Sequence, residues 1–486
     1  MTPLSARTLP RLDGRVAVPR YDRDRVSVGI VHIGPGAFHR AHQAMYLDSY
    51  LATGDPSWGI CTVGLLQADT TVRDVLDQQD GLYTLVSVSP DGHEDVRVIG
   101  SIVQHLHAPD RPAAVLDLLT RPTTRIVTMT ITEGGYGVDD STGEFEPSDA
   151  LTRADLRSAV PASALGFIVA ALGARRKAGT PPFAVVSCDN IQGNGQVAAS
   201  AVTGFAARRD PELAAWIRSN VSFPSSMVDR ITPRTDEAAR GAARRHGIDD
   251  RWPIRAESFA QWVCEDRFSE GRPELERVGV QWVSDVEPYE KLKLRLLNSS
   301  HQALAYLGLL SGYEHVHAAC RDPLLVGFLR GYQREEAAPT LPPVPGIDVG
   351  AYGDQVLARF AGDAVPDTLA RLTVDGSDRV GKFLVPVIAD LLAQGRELRR
   401  SALVLAAWTL HLDGRTAVAP VDRRLAGLRD AVAQERTEPG AVLGFRPVFG
   451  ELGSDPTLRR SYLEARKVLT ERDVRNAIAW SGAGGS

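Results

Sequence analysis

The sequence predicts an α/β protein in which a doubly wound parallel-sheet domain is followed by a mainly α-helical domain. Three observations predict it. From Val26 onward, short β-branched runs alternate with longer helix-compatible stretches. The first of these runs ends in two closely spaced glycines that open a helical segment. After about residue 285 the β-rich runs fade and helical periodicity takes over.

In chain order, VSVGIVHIG, WGICTVGL, RIVTMTIT and FAVVSCDN read as strands, and the segments between them carry helix-compatible patterns. Strands separated by helices pair in parallel. LKLRLLNSSHQALAYLGLL, PLLVGFLRGYQREEAA, KFLVPVIADLLAQ and SALVLAAWTLHL are the main helices of the second part. TLPPVPGIDVG and EPGAVLGFRPVFGELG mark loops within it. The expected division is residues 1–285 for a nucleotide-binding domain and 286–486 for a substrate and catalytic domain.

Composition narrows the partners. A chain of 486 residues with 43% hydrophobic and 24% charged residues is ordinary globular material. A net charge of -5 with no long basic run points to a small-molecule partner and away from nucleic acid or a membrane surface. Cys61, Cys188, Cys264 and Cys320 are scattered without a CxxC, so neither a disulfide framework nor a thiolate metal site is expected. No apolar signal-like stretch and no run of about 18 apolar residues is seen, which suits a cytoplasmic protein. The final SGAGGS reads as a small flexible tail.

VSVGIVHIGPGAFHRAH carries the nucleotide expectation. Gly34 and Gly36 permit a tight turn and close backbone approach to a pyrophosphate at a helix N-terminus, as in a Rossmann-type fold. The fingerprint is incomplete, because His39 stands where GxGxxG would need a third glycine. After the second strand, Asp69 is placed to accept from an adenosine ribose and so favour NAD over NADP, although it lies beyond the usual interval of about 20 residues. Arg73 could instead receive a 2′-phosphate, and the bland role for Asp69 is a helix cap. His32, His39 and His42, like His315 and His317, invite a metal reading. No HExxH or carboxylate cluster supports one, and no metal is expected.

The stretch KLRLLNSSH raises a different question, because it sets polar groups among leucines. On a uniform α-helix with Lys293 at 0°, Glu290 falls near about 60°, His301 near about 80° and Asn298 near about 140°. All four share one arc of a helix that leucines on the other sides should bury. Each such polar group costs about 1–3 kcal/mol if unpaired, so they must pair with one another or with a ligand. Tyr289 and Lys293 also form YxxxK, the pair of short-chain dehydrogenases. The glycine loop that accompanies it there is missing here, so Tyr289 is expected to pack.

The chain resembles the polyol-specific long-chain dehydrogenases, the mannitol dehydrogenase family. The resemblance rests on GPGAFHRAH (34–42), DGLYTLV (80–86), TEGGY (132–136), SCDNIQGNG (187–195), MVDRITP (227–233), EKLKLRLLNSSHQALAYLG (290–308) and DGSDRVGKFLVP (375–386), in that order. It implies an NAD-dependent oxidoreductase that interconverts D-mannitol and D-fructose by hydride transfer at C2, with a lysine general base and no metal. It places Lys293, Asn298 and His301 on the catalytic helix, Asn190 beside Asn298 in polarising the substrate oxygen, and Glu290 as a proton relay. Arg379 and Lys382 are the implied contacts to sugar hydroxyls, with Asp229 and Arg230 helping to shape the pocket. Cofactor contacts fall to Gly34, Gly36, Ala37, Phe38, His39, Asp69 and Glu133. Gly381 stands where the family commonly has proline, which puts the placement of Lys382 in question.

An exposed lysine is a poor base at neutral pH, so burial among leucines and a nearby cationic ring are expected to lower the pKa of Lys293. The family also admits D-fructuronate reduction to D-mannonate or D-arabinitol oxidation. A different class, a nucleotide-binding protein without catalysis, predicts erosion of the lysine, asparagine or histidine, and all three are present. The family includes monomers, and a monomer or weak oligomer is expected.

Overall fold

The computed structural model describes residues 1–139, 142–147, 149–363 and 366–482. Two compact units emerge, Met1–Ser89 with His93–Glu287, and Pro90–Gly92 with Pro288–Ser486. No helix among the described residues is long and apolar enough to cross a membrane.

The first unit is built on a five-stranded sheet of β1 (Val28–Ile33), β2 (Gly59–Gly64), β3 (Ile102–His107), β4 (Ile126–Met129) and β5 (Ala184–Ser187). All are parallel, in the order β3-β2-β1-β4-β5. This is the doubly wound order, which reverses direction beside β1 and leaves a crevice at the carboxyl ends of the strands. Pleating alternates the side chains between two cores. Val31, Ile33, Cys61, Val63, Val127, Met129 and Val185 enter one, which is packed with Pro112–Thr120, Ala164–Ala178, Asn194–Ala207 and Pro211–Asn220. Ile30, Ile60, Ile102, Ile126 and Val186 enter the other, with residues of helix Gln43–Leu51 and of smaller sheets. Burial on both faces is why these strands read as near-continuous apolar runs.

β3 is not among the strands legible in the sequence. Its run IVQHLH carries Gln104, His105 and His107, and it lies at the sheet edge, where half-solvated positions tolerate polar residues. Tyr83–Val88, Glu94–Ile99 and Ile254–Glu257 form a three-stranded sheet, and Ser226–Asp229, Gln261–Glu265 and Gln281–Val283 another.

The second unit is helical throughout its named elements. The four expected segments all fall in helices, joined by Val349–Ala361, Leu425–Gln434, Pro456–Glu471 and Val474–Gly482. EPGAVLGFRPVFGELG, expected as a loop, is instead wound into short turns, Ala441–Gly444, Arg446–Phe449 and Leu452–Ser454. The expected flexible tail differs too. Ser481 and Gly482 complete the last helix and Ser481 is buried, while the rest of SGAGGS lies outside the described residues.

Candidate active site

Strand β1 runs straight into the glycine turn. Gly34 has φ +96°, and a Cβ there would sit 2.2 Å from the Thr130 carbonyl oxygen, so only glycine fits. Gly36 differs. Its φ is -75°, and a Cβ would meet nothing nearer than 3.9 Å, so packing does not demand a glycine. Bare backbone facing open space at the start of helix Ala37–Ala41 suits a pyrophosphate. That helix carries Ala37, Phe38 and His39, breaks at His42, and resumes over Gln43–Leu51.

At the place of the absent third glycine, the buried His39 ring lies flat on His32, with centroids 3.4 Å apart and an interplanar angle of 10°. His32 is a strut under the loop. Its Nδ1 meets Thr128 Oγ1 at 2.7 Å, and its Nε2 meets the Gly34 carbonyl at 2.9 Å and Thr130 Oγ1 at 3.0 Å. Thr130 Oγ1 also donates to the Gly34 carbonyl at 2.7 Å. His42 meets the Gln261 carbonyl through Nε2 at 2.8 Å and accepts from Gln43 through Nδ1 at 3.0 Å. These histidines support protein rather than converge on an ion, and among the described residues no group of three or more His, Cys, Asp or Glu could hold a metal.

Burial carries a pH consequence. Desolvation pulls His32 down to about 3, His105 and His411 to about 4, and His39 well below the usual range. The unfolded chain takes up these protons near about pH 6.5, whereas the folded chain does so only at much lower pH. Between those limits the unfolded state binds more protons, so stability rises with pH and is lost as pH falls through the window. The expected result is a melting temperature that declines steadily from about pH 7 to about pH 5; a flat profile would contradict neutral burial of these rings.

After β2, Asp69 folds back and accepts from the Leu66 N–H at 2.9 Å. Gly64 makes the room, since a Cβ there would sit 2.9 Å from the Asp69 Cβ. Arg73 pairs with Asp74 at 2.7 Å and with Asp110, so two carboxylates already occupy the cation considered for a 2′-phosphate.

After β4 the chain makes a strained turn. Thr132 has φ +63°, an unfavourable value for a β-branched residue, and leads into the exposed Glu133 in the turn Glu133–Gly135. Asp189 holds the turn by accepting from Ile131 N and Thr132 N, both at 3.0 Å, and from the Tyr136 hydroxyl at 2.7 Å. Burial pushes the Asp189 carboxyl above the ordinary carboxylate range. Asp189 stands inside the motif SCDNIQGNG, but its role shows only in these contacts, because its partners lie more than 50 positions away. It precedes Asn190, which is exposed in a bend beyond β5 and does not end the strand.

Asp229 closes the strand Ser226–Asp229 and is buried. Arg230, also buried, gives its guanidinium to the Glu257 carbonyl at 2.8 Å, the Ala41 carbonyl at 2.5 Å and Ser87 Oγ at 2.7 Å. These bonds tie it to three separate segments of the first unit.

In the second unit the lysine segment is not a uniform α-helix. Glu287–Leu292 and Ser299–Leu310 are α-helical, but Lys293–Asn298 between them is a π-turn. A turn bonded i→i+5 takes up one residue more than an α-turn, so residues beyond it fall back by about 100°. Asn298 moves to about 40° and His301 to about -20°, which narrows the four-residue arc from about 140° to about 80°. Glu290 and Lys293 are each 7% exposed and His301 8%. Asn298 is half-buried, and its Oδ1 is a buried acceptor without a partner among the described residues.

Side chains stabilise the π-turn. Ser299 Oγ donates to the Arg295 carbonyl, Gln333 Nε2 donates to the Leu296 carbonyl at 3.2 Å, and Arg295 pairs with Asp390 at 2.7 Å. The turn packs against two further π-turns, Tyr332–Ala337 and Val380–Leu384. The Tyr289 hydroxyl donates to the Pro345 carbonyl at 2.8 Å, a packing role. Arg379 ends helix Gly376–Arg379 and donates through Nε to the Val374 carbonyl at 2.8 Å. Lys382 is exposed on the π-turn Val380–Leu384. Gly381 lies inside that turn, where a Cβ would meet nothing closer than 3.7 Å, so helical backbone sets the position of Lys382.

Comparison with known proteins agrees with both units. Residues 28–277 match the family model of the mannitol dehydrogenase Rossmann domain and residues 285–469 that of the mannitol dehydrogenase C-terminal domain. A mannitol 2-dehydrogenase of Cereibacter sphaeroides is 41% identical over 469 residues, 95% of this chain and 98% of that one. Among solved structures, Pseudomonas fluorescens mannitol 2-dehydrogenase in a ternary complex with NAD and D-mannitol is 42% identical, with a TM-score of 0.87 over 99% of this chain and 100% of that one. A D-sorbitol dehydrogenase in substrate-free form is 38% identical, with a TM-score of 0.91 over 98% and 100%. The chain belongs to the mannitol dehydrogenase family.

Proposed function

We infer that this protein interconverts D-mannitol and D-fructose with NAD, by hydride transfer at C2. The observation that carries this is the whole-length likeness to a protein solved with NAD and D-mannitol bound. Residues 1–285 hold the nucleotide and 286–486 act on the polyol. The open backbone at Gly36 receives the pyrophosphate, Gly34, Ala37 and Phe38 shape the loop, His39 supports it from below, and Asp69 and Glu133 flank the nucleotide. When bound, NAD accepts the hydride from carbon.

Lys293 takes the hydroxyl proton. Its burial on the same face as Glu290, Asn298 and His301 supports this role. Asn298 donates an amide N–H to the oxygen as it gains alkoxide and then carbonyl character, and Asn190 is the second donor, each worth about 3–4 kcal/mol if well placed. His301 orients the substrate oxygen, Glu290 passes the proton to solvent, and Arg379 and Lys382 meet the remaining hydroxyls. Asp229 shapes the pocket. The protein works in the cytoplasm as a monomer or weak oligomer.

The test is NADH oxidation with D-fructose, with the product identified. Reduction at C2 yields D-mannitol or D-sorbitol according to the face that receives hydride, so the product reports the geometry directly. D-mannitol is expected, with NADPH a poorer donor. D-sorbitol as product, or oxidation with D-fructuronate alone, would overturn the substrate assignment, and no oxidation with any ketose would overturn the enzymatic reading.

A further inference from the structure

His301 lies just beyond the π-turn, and its imidazole is covered on one face. The ring of Phe360 lies flat against it, with centroids 4.0 Å apart and planes within 15°. Aromatic pairs usually settle edge-on or offset at about 4.5–7 Å, so this parallel contact is close. Phe360 is 2% exposed and sits on helix Val349–Ala361, which packs against the π-turn Lys293–Asn298. The same helix therefore braces both the turn that carries Lys293 and Asn298 and the ring one turn further on.

The outer torsion of a histidine has a broad profile, and left to itself it sets the ring plane loosely. A flat neighbour removes that freedom. Both ring nitrogens must then point along directions parallel to the Phe360 ring, so hydrogen bonds to the imidazole form only at its edge. We propose that Phe360 is a positioning residue for the reaction, fixing the plane of His301 and hence the direction in which its nitrogens meet the substrate. The proposal rests on the reading of the Lys293 helix as catalytic. Phe360 is distant in sequence from that helix and lies in none of the seven family motifs.

The experiment compares Phe360→Leu, Phe360→Tyr, His301→Asn and the double variant Phe360→Leu with His301→Asn, with melting temperatures measured alongside. Leucine keeps an apolar side chain but lacks the flat face, and tyrosine restores the face. We expect kcat for D-mannitol to fall about tenfold in Phe360→Leu while KM for NAD stays within about twofold, as for a group misplaced rather than removed. Phe360→Tyr should return kcat toward wild type. In the His301→Asn background the leucine should cost nothing further, because there is no imidazole left to orient. If Phe360→Leu does not fold, Phe360→Met serves in its place. Wild-type kcat in Phe360→Leu beside an impaired His301→Asn overturns the positioning role alone, as does an equal further loss in the double variant. Wild-type kcat in His301→Asn overturns the catalytic reading beneath it.

Discussion

Lys293→Ala is expected to lower kcat by about 10²–10⁴-fold while leaving NADH binding intact, the usual contribution of a positioned general base. Lys293 is 7% exposed, on a π-turn flanked by the buried Leu292, Leu296 and Leu297. Nothing built from leucine replaces its proton chemistry. The nucleotide loop belongs to the first compact unit, so removing the amine leaves that loop's own supports untouched. Binding is read from NADH fluorescence and turnover from steady-state rates with D-mannitol. Small primary amines added to the variant should restore part of the rate, with efficiency following amine basicity. Loss of NADH binding, or a collapse of the melting temperature with no amine rescue, would mean that the lysine is structural.

Gly34→Ala and Gly36→Ala should separate two roles that look alike in sequence. At Gly34 the φ of +96° and the Thr130 carbonyl oxygen, 2.2 Å from where a Cβ would stand, act together. Strain alone costs about 1–3 kcal/mol, and the backbone clash adds to it. The expected result is a lower melting temperature and a damaged nucleotide site. At Gly36 the backbone suits any residue, and no protein atom lies within 3.9 Å of the added carbon. That variant should melt as wild type does, yet its KM for NAD should rise about tenfold or more, because the methyl would occupy the space proposed for the pyrophosphate. Unchanged KM in Gly36→Ala would show that the loop does not approach the cofactor.

Much of this is legible in residue order. Strands β1, β2, β4 and β5 announce themselves because strands buried on both faces must be apolar throughout. β3 escapes because its middle is not fully buried, with Gln104 exposed and His105 half-buried, whereas β5, at the other edge, is covered throughout. The glycine turn is legible for a related reason, since positive φ and close approach leave few residue choices. The Lys293 face is legible as polar residues on a leucine-rich helix, although arithmetic at a constant 100° spreads it too widely.

Other features can be read only from contacts. His32 and His39 carry imidazoles that sequence cannot tell from metal ligands, and the flat stack beneath the loop identifies them as supports. Asp189 becomes visible as the acceptor for two backbone N–H groups and a tyrosine. Arg230 stands in a motif as a candidate for the pocket, and its three tied donors show a brace. The π-turn shows only in the structure, where Ser299 and Gln333 donate to its carbonyls and its own Arg295 reaches Asp390.

By itself, then, the sequence determined the α/β-then-helical architecture, the glycine turn and the set of polar residues on the Lys293 helix. Burial periodicity and backbone sterics are local demands that each residue answers within a few neighbours. Tertiary structure decided the phase of that helix, the struts under the loop and the plane of His301. Each depends on a hydrogen bond or ring contact between side chains distant in the chain, and local sequence does not specify which groups will meet.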